Sequence, residues 1–252
     1  MKDITIQNYN VTFWNMVNKY DTSNTNILRK IIHSFSVAET CFKIACYFKL
    51  NKKERELCYL IGLFHDIGRF EQWKLYQTYN DKLSVDHGDL SAEILSNFSG
   101  ETFNISQENF SIMLNAIKFH TKPYTGKDEK VEFYNEIIKN ADAFSNVITT
   151  ANGAQQMTVE LDGVTDEILN DFKNLNPLFM YSPNTKLDRA LMLTACSYNV
   201  NFRFLRQEIL QNNYIDTIFE TFSQYLNIED KLKYKEPDGM LIGWSDLNVA
   251  GR

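Results

Sequence analysis

Leu63-Phe64-His65-Asp66-Ile67-Gly68-Arg69-Phe70-Glu71 is the stretch whose reading decides the fold. Ahead of it Leu57, Leu60, Ile61 and Phe64 recur at helical spacing. Gly68 is expected to stop that helix, because glycine enters the left-handed conformation without steric penalty. His65 and Asp66 then stand side by side at a helix end, where neighbouring side chains can leave helical geometry and converge on one point. A neutral imidazole nitrogen beside a carboxylate oxygen suits a divalent zinc, manganese, iron, nickel or cobalt ion. The expectation is that the other three histidines and one further aspartate come to meet this pair.

Working outward, each of those residues falls on or at the end of an expected helix. Asp21-Thr22-Ser23-Asn24-Thr25 is a turn and N-cap cluster. It opens a long helix from about Asn26 to Leu50, with Leu28, Ile31, Ile32, Phe35, Ala38, Phe42 and Ala45 as its apolar stripe and His33 beside it. A shorter helix from about Tyr9 to Tyr20 precedes it. Ser84 or Asp86 caps a helix that begins near His87 and runs to about Phe98. Ser106 caps the next, which ends near His120, because Thr121-Lys122-Pro123 cannot continue it. Lys127 to about Thr150 reads as a long helix with Asp142 in the middle of its apolar pattern. An unpaired carboxylate is expensive to bury there, and a cation is one way to satisfy it. Taken singly, His33 and His87 read as ordinary polar residues of a helix; the set of four histidines and two aspartates is what points to a metal.

Composition bounds the rest. The chain has 252 residues, 44% hydrophobic and 23% charged, with 4 prolines and 10 glycines, which leaves long stretches free to be helical. A net charge of −6 argues against a nucleic-acid-coating role, which needs a basic face. No run reaches the roughly 20 apolar residues of a membrane span, and the first residues show no signal-peptide pattern. The 4 cysteines form no CxxC pair and read as reduced thiols, three of them buried, so a cytoplasmic protein is expected. Beyond Asn152-Gly153 the pattern weakens. Gln155 to Gly163 reads as extended or loop, helices follow at about Thr165–Leu175, Lys186–Leu210 and Ile215–Leu226, and Lys233 to Arg252 reads as an irregular tail. The fold class expected is all-α: a single-domain helical bundle over 1–252, with a core of about 27–150 and additional C-terminal helices over about 151–252.

The spaced set His33, His65-Asp66 and Asp142 resembles the HD-domain superfamily of metal-dependent phosphohydrolases. The His65-Asp66-Ile67-Gly68-Arg69 segment is similar to that family's HDxGK stretch, with arginine in the lysine position. His87 and His120 match the subset that holds two metals. The resemblance covers about Ile27 to Thr150 and implies the following. His33, His65, Asp66 and Asp142 hold one ion and His87 and His120 a second, with Asp66 bridging them. The ions are two divalent transition metals (Mn, Fe, Ni, Co or Zn, with Mg as a further option). They activate a water that attacks phosphorus in line with the leaving oxygen. Asp66 is then a catalytic residue. Arg69 would bind phosphate oxygens bidentately, and Lys122 is a second candidate for that task beside its plainer reading as a solvated turn lysine. The substrate implied is a small phosphorylated compound such as a nucleotide. Two other readings use the same scaffold: a di-iron oxygenase working with dioxygen, and a metal-binding regulatory module. Imidazole and carboxylate ligands alone do not separate hydrolase from oxygenase.

Overall fold

A computed structural model of the chain describes residues 4–154, 163–174, 178 and 184–223. Among these the architecture is all-α, with no strand. The expected loop over Gln155–Gly163 falls almost wholly outside the described residues, and the tail from Lys233 to Arg252 lies entirely outside them. The backbone divides into two compact units, Met1–Ser145 and Asn146–Arg252.

In the first unit, α1 (Ile4–Val17) and α2 (Thr25–Tyr47) precede α3 (Lys52–Phe64), α4 (Ile67–Tyr76), α5 (His87–Ser96) and α6 (Gln107–Lys118). The helix α7 (Glu129–Ala154) begins in this unit and runs past its boundary. The starts follow from local chemistry. Asn24 caps α2 by accepting from the amides of Asn26 and Ile27. Asn51 and Glu54 form a reciprocal capping box on α3. Asp86 rather than Ser84 caps α5, and Ser106 caps α6. The helix α1 starts earlier than expected and buries Tyr9, Phe13, Met16 and Val17, leaving Val11 and Trp14 exposed.

Helix α2 packs along α3, and the contact corrects the expected stripe. Leu28 and Ile32 are exposed; the buried face is Ile27, Ile31, Ser34, Ala38, Cys41 and Ala45, with His33 and Val37 beside it. Small side chains line this face because the two helices approach closely. A Cβ on Gly62 would lie 2.8 Å from the Ala38 Cα. Side-chain size, which the apolar pattern ignores, selects the face.

Gly68 is the second correction. It does not end a helix: α3 ends at Phe64, and Gly68 lies inside α4. A Cβ there would sit 2.7 Å from the Ser91 amide nitrogen and 3.0 Å from the His87 carbonyl oxygen. Gly68 is therefore what lets α4 press onto α5, and its own amide donates to Ser91 Oγ at 2.9 Å. The break between α3 and α4 is made instead at His65 and Asp66, where Asp66 leaves helical geometry at φ −103°, ψ 17°.

The core behind this break is aromatic. The Phe13 ring meets Phe35, Phe64 and Phe70 edge-on at 5.4, 5.5 and 6.0 Å, and Phe64 meets Phe103 at 5.2 Å. Burying each such side chain contributes about 1.5–3 kcal/mol, and together they hold the residue before His65 immobile. Helix α7 is tied in by Asn135 Nδ2, which donates to the Ala116 carbonyl at 2.9 Å, and by the Thr40–Ser145 hydroxyl pair at 3.3 Å.

The second unit contains α8 (Asp166–Lys173), α9 (Lys186–Ala195), α10 (Arg203–Gln211) and α11 (Tyr214–Ser223). Ile168, Leu169, Leu178, Leu191 and Ala195 form a buried cluster. Buried Asp188 accepts from the amide and hydroxyl of Thr165, at 2.8 and 2.7 Å. The single helix expected over Lys186–Leu210 is interrupted by a 3₁₀ turn at Cys196–Asn199 and an extended Val200. Poor helix formers at Asn199, Val200 and Asn201 account for the break, and Arg206 Nε donates to the Val200 carbonyl it exposes. Two of the cysteines, Cys41 and Cys58, are buried; Cys196 is half-buried and Cys46 exposed, and all are free thiols. Among the described residues no helix is long and apolar enough to cross a membrane.

Candidate metal centre

Six side chains from five places along the chain come together in the first unit. His33 arrives from the middle of α2, His65 and Asp66 from the α3–α4 break, and His87 from the first position of α5. His120 follows the end of α6, and Asp142 projects from α7. The ring centroids of His33 and His65 are 5.3 Å apart, those of His65 and His120 5.2 Å, and those of His87 and His120 4.9 Å. All four histidines and Asp66 are buried, while Asp142 keeps 27% of its side chain exposed.

Asp66 stands between two groups. Its Oδ2 lies 3.5 Å from His65 Nε2 and 3.8 Å from His33 Nε2. Its Oδ1 lies 3.4 Å from His87 Nε2 and 4.0 Å from His120 Nε2. Asp142 Oδ1 is 2.9 Å from His33 Nε2 and 4.0 Å from His65 Nε2. The trios His33–His65–Asp66 and Asp66–His87–His120 each bring one ligand atom per residue within 4.8 Å of the others, and they share only Asp66. A third trio, His65–His120–Asp142, spans both.

The ring orientations follow from backbone and loop. His65 Nδ1 lies 2.8 Å from the Gly62 carbonyl, and His120 Nδ1 lies 2.6 Å from the Ile117 carbonyl. A carbonyl only accepts, so each Nδ1 carries the proton and each Nε2 turns a bare lone pair to the cluster. His87 Nδ1 is held by Asp81 Oδ2 at 2.5 Å. Its Nε2 then faces His120 Nε2 at 3.1 Å, two acceptors in contact, with Arg69 Nη2 donating to it at 3.2 Å.

Burial, more than any neighbour, lowers the pKa of His65, and it pushes His87 and His120 down to about 4, with Arg69 reinforcing it at His87 and His65 at His120. These three imidazoles are neutral near pH 7, the form that ligates metal. Burial would raise the Asp66 carboxyl, but Lys30, His65, His87 and Arg69 outweigh it and hold the group well below the usual carboxylate range. Asp142 is likewise held low against its burial by the bond to His33.

The donor set fits divalent cations on a direct test. His65 Nε2 and Asp66 Oδ1 are fully buried and have no hydrogen-bond partner. Leaving such groups unsatisfied costs about 1–3 kcal/mol each. Divalent cations held by these two atoms would supply what no protein donor does, and one held by His87 and His120 would offset the repulsion of their facing nitrogens.

Three residues around this cluster, Lys30, Gln72 and Asp81, were not among the expected site residues. Lys30 donates to Asp66 Oδ2 at 2.7 Å; its signal was available, since it lies one helical turn before His33. Asp81 carried no such signal, because the path of the 77–86 loop places it, and Gln72, inside α4, joins the site only through its bonds to that loop. Gln72, wholly buried, donates to Asp81 Oδ1, Ser84 Oγ and the Val85 carbonyl at 2.9, 2.8 and 3.0 Å. Arg69 lies at the cluster but is largely engaged, its Nη1 donating to Gln72, the Tyr79 carbonyl and Asp81 at 2.7, 2.7 and 2.8 Å. Lys122 lies 2.6 Å from Asp89 Oδ2 and 3.5 Å from Asp86 Oδ1.

Fold and site together define the class: an all-helical protein with a buried His/Asp cluster suited to divalent metal. The family model described as HD domain matches residues 31–147, so the chain carries an HD domain there, and the superfamily of that domain is largely one of metal-dependent hydrolases. No curated protein and no solved structure matches the chain.

Proposed function

We propose that this protein is a metal-dependent phosphohydrolase that cleaves a phosphoester of a nucleotide or another small phosphorylated compound. His33, His65, Asp66 and Asp142 would hold one ion, and Asp66, His87 and His120 a second. The observation that carries this reading is the division of ligands about Asp66: one carboxylate oxygen faces each group of imidazoles. When bound, divalent ions supply Lewis acidity toward a phosphoryl oxygen and an acidified water as nucleophile.

The chain's own part is orientation. The Gly62 and Ile117 carbonyls and the Asp81 carboxylate fix the imidazole tautomers, so no ring must turn or lose a proton before use. Gln72 and Asp81 hold Arg69 by Nη1, leaving its Nη2 edge toward the cluster and an incoming phosphoryl oxygen. We place the activity in the cytoplasm, where the free thiols of Cys41 and Cys58 remain reduced.

The test begins with metal analysis of protein purified without added metal. Phosphate release is then measured with that metal on phosphomonoesters, cyclic nucleotides and dinucleotides. Turnover of at least one class, lost together with bound metal in Asp66→Ala, is expected. Stoichiometric metal with no phosphate released from any class, or oxygen uptake by iron-loaded protein in its place, overturns the reading.

A further inference from the structure

We propose that Lys30 is a substrate-binding residue, and that Lys30 and Arg69 clamp a terminal, doubly charged phosphoryl group from opposite sides of Asp66. The proposal deepens the phosphohydrolase reading and rests on it for the identity of the anion. Lys30 Nζ bonds Asp66 Oδ2, the oxygen turned toward His33 and His65. Arg69 sits on the other oxygen, its Nε 3.6 Å from Asp66 Oδ1. Each half of the cluster thus has its own fixed positive charge.

Both cations hold lone pairs that metal ligation needs. Arg69 Nη2 donates to His87 Nε2, whose single lone pair cannot serve a proton donor and a cation together. Arg69 Nε is buried with no hydrogen-bond partner. The Lys30 ammonium lies against the same carboxylate oxygen that a cation shared with His33 and His65 would occupy, and like charges there repel. Loading the cluster therefore releases donors on both sides of Asp66, and an arriving oxyanion is the acceptor that fits them.

Their spacing is set by a shared strut. Lys30 Nζ lies 5.5 Å and the Arg69 guanidinium carbon 5.7 Å from the centre of the Tyr79 ring. The Tyr79 hydroxyl is anchored on the Asn26 carbonyl at 3.0 Å. Lys30 keeps 16% of its side chain exposed and Arg69 12%, so the clamp is reachable from solvent. Two cations beside a dinuclear centre favour a dianionic phosphomonoester over a singly charged diester, which has fewer free oxygens to share between them.

The test uses the full chain and inorganic phosphate as probe, with binding followed calorimetrically in Mn²⁺-loaded and chelator-treated protein. Lys30→Met preserves the packed stem and removes the charge. It should keep the wild-type metal content and weaken phosphate at least about tenfold, the worth of one hydrogen bond to a charged group. Lys30→Arg should recover most of that loss. Unchanged phosphate affinity in Lys30→Met, or a loss accompanied by loss of metal, overturns the proposal. So does equal phosphate binding by the metal-loaded and metal-free wild type. The two readings fail separately. Lys30-dependent phosphate binding in a protein that hydrolyses no phosphoester leaves the clamp standing without the hydrolase. Phosphomonoester turnover with wild-type KM in Lys30→Met does the reverse.

Discussion

Asp81 Oδ2 lies 2.5 Å from His87 Nδ1, and this bond decides which nitrogen of His87 faces the cluster. The carboxylate is itself held by Arg69 Nη1 and Gln72 Nε2. Burial would raise the Asp81 carboxyl, but the bond and charge of His87 and the Arg69 guanidinium hold it well below the ordinary range. Asp81→Ala frees the His87 ring to rotate. Loss of such an outer carboxylate weakens metal binding by about 10–100-fold. The loss should fall on one ion, that of Asp66, His87 and His120, and leave the other in place. Titration of metal into stripped protein should show one weakened class of site; equal weakening of all binding would contradict the assignment of Asp81 to His87.

Gly68→Ala should destabilise the protein. An exposed helical glycine replaced by alanine gains up to about 1 kcal/mol. Here the new Cβ would meet backbone, at 2.7 Å from Ser91 N and 3.0 Å from His87 O, and neither atom can swing away. Overpacking of this kind costs about 1–3 kcal/mol, so the clash wins. The shift also moves His87, and a lower urea midpoint accompanied by weaker metal binding is expected.

Phe64→Ala tests the aromatic support behind His65. Phe64 is fully buried between Phe13 and Phe103. Its truncation should cost about 3–5 kcal/mol in equilibrium unfolding. An effect under 1 kcal/mol would show that the site does not lean on this cluster.

Stability of the metal-free protein should fall as pH drops from about 6.5 to about 4. In the folded chain His87 and His120 bind protons only near pH 4, because they are buried. In the unfolded chain they do so near 6.5. Between these values the unfolded state carries more protons, so stability rises with pH and is lost on acidification. Two such groups account for a change on the order of a few kcal/mol. Urea midpoints of chelator-treated protein at pH 7 and pH 4.5 measure it, and equal midpoints would contradict it.

Metal itself should stabilise the fold. Ions that bind only the native state raise stability by about 2.7 kcal/mol at a hundredfold excess over Kd. Mn²⁺ should therefore raise Tm in the wild type, and His65→Ala should abolish most of the rise. An undiminished rise in that variant would place the stabilising metal elsewhere.

Much of this molecule is legible in its residues. Polar caps such as Asn24 and Ser106 act on amides two or three positions away, so local sequence contains both partners. The metal-ligand residue types His33, His65, Asp66, His87, His120 and Asp142 stand out for a similar reason: their chemistry belongs to the side chain wherever it is placed. Gly68 misled because a glycine that ends a helix and one that lets two helices touch look alike until the second helix is known. Leu28 and Ile32 misled because apolar character covers much of the α2 surface, and only the approach of α3 chooses a face.

The sequence by itself determined the helices, their caps and the residue types able to bind metal, because these depend on interactions within a few positions of the chain. Tertiary structure alone decided that His33, on one side, and His87 and His120, on the other, meet the two oxygens of Asp66, and that Lys30 comes to the same carboxylate. Those relations are distances between segments dozens of residues apart, and packing of whole helices against one another creates them.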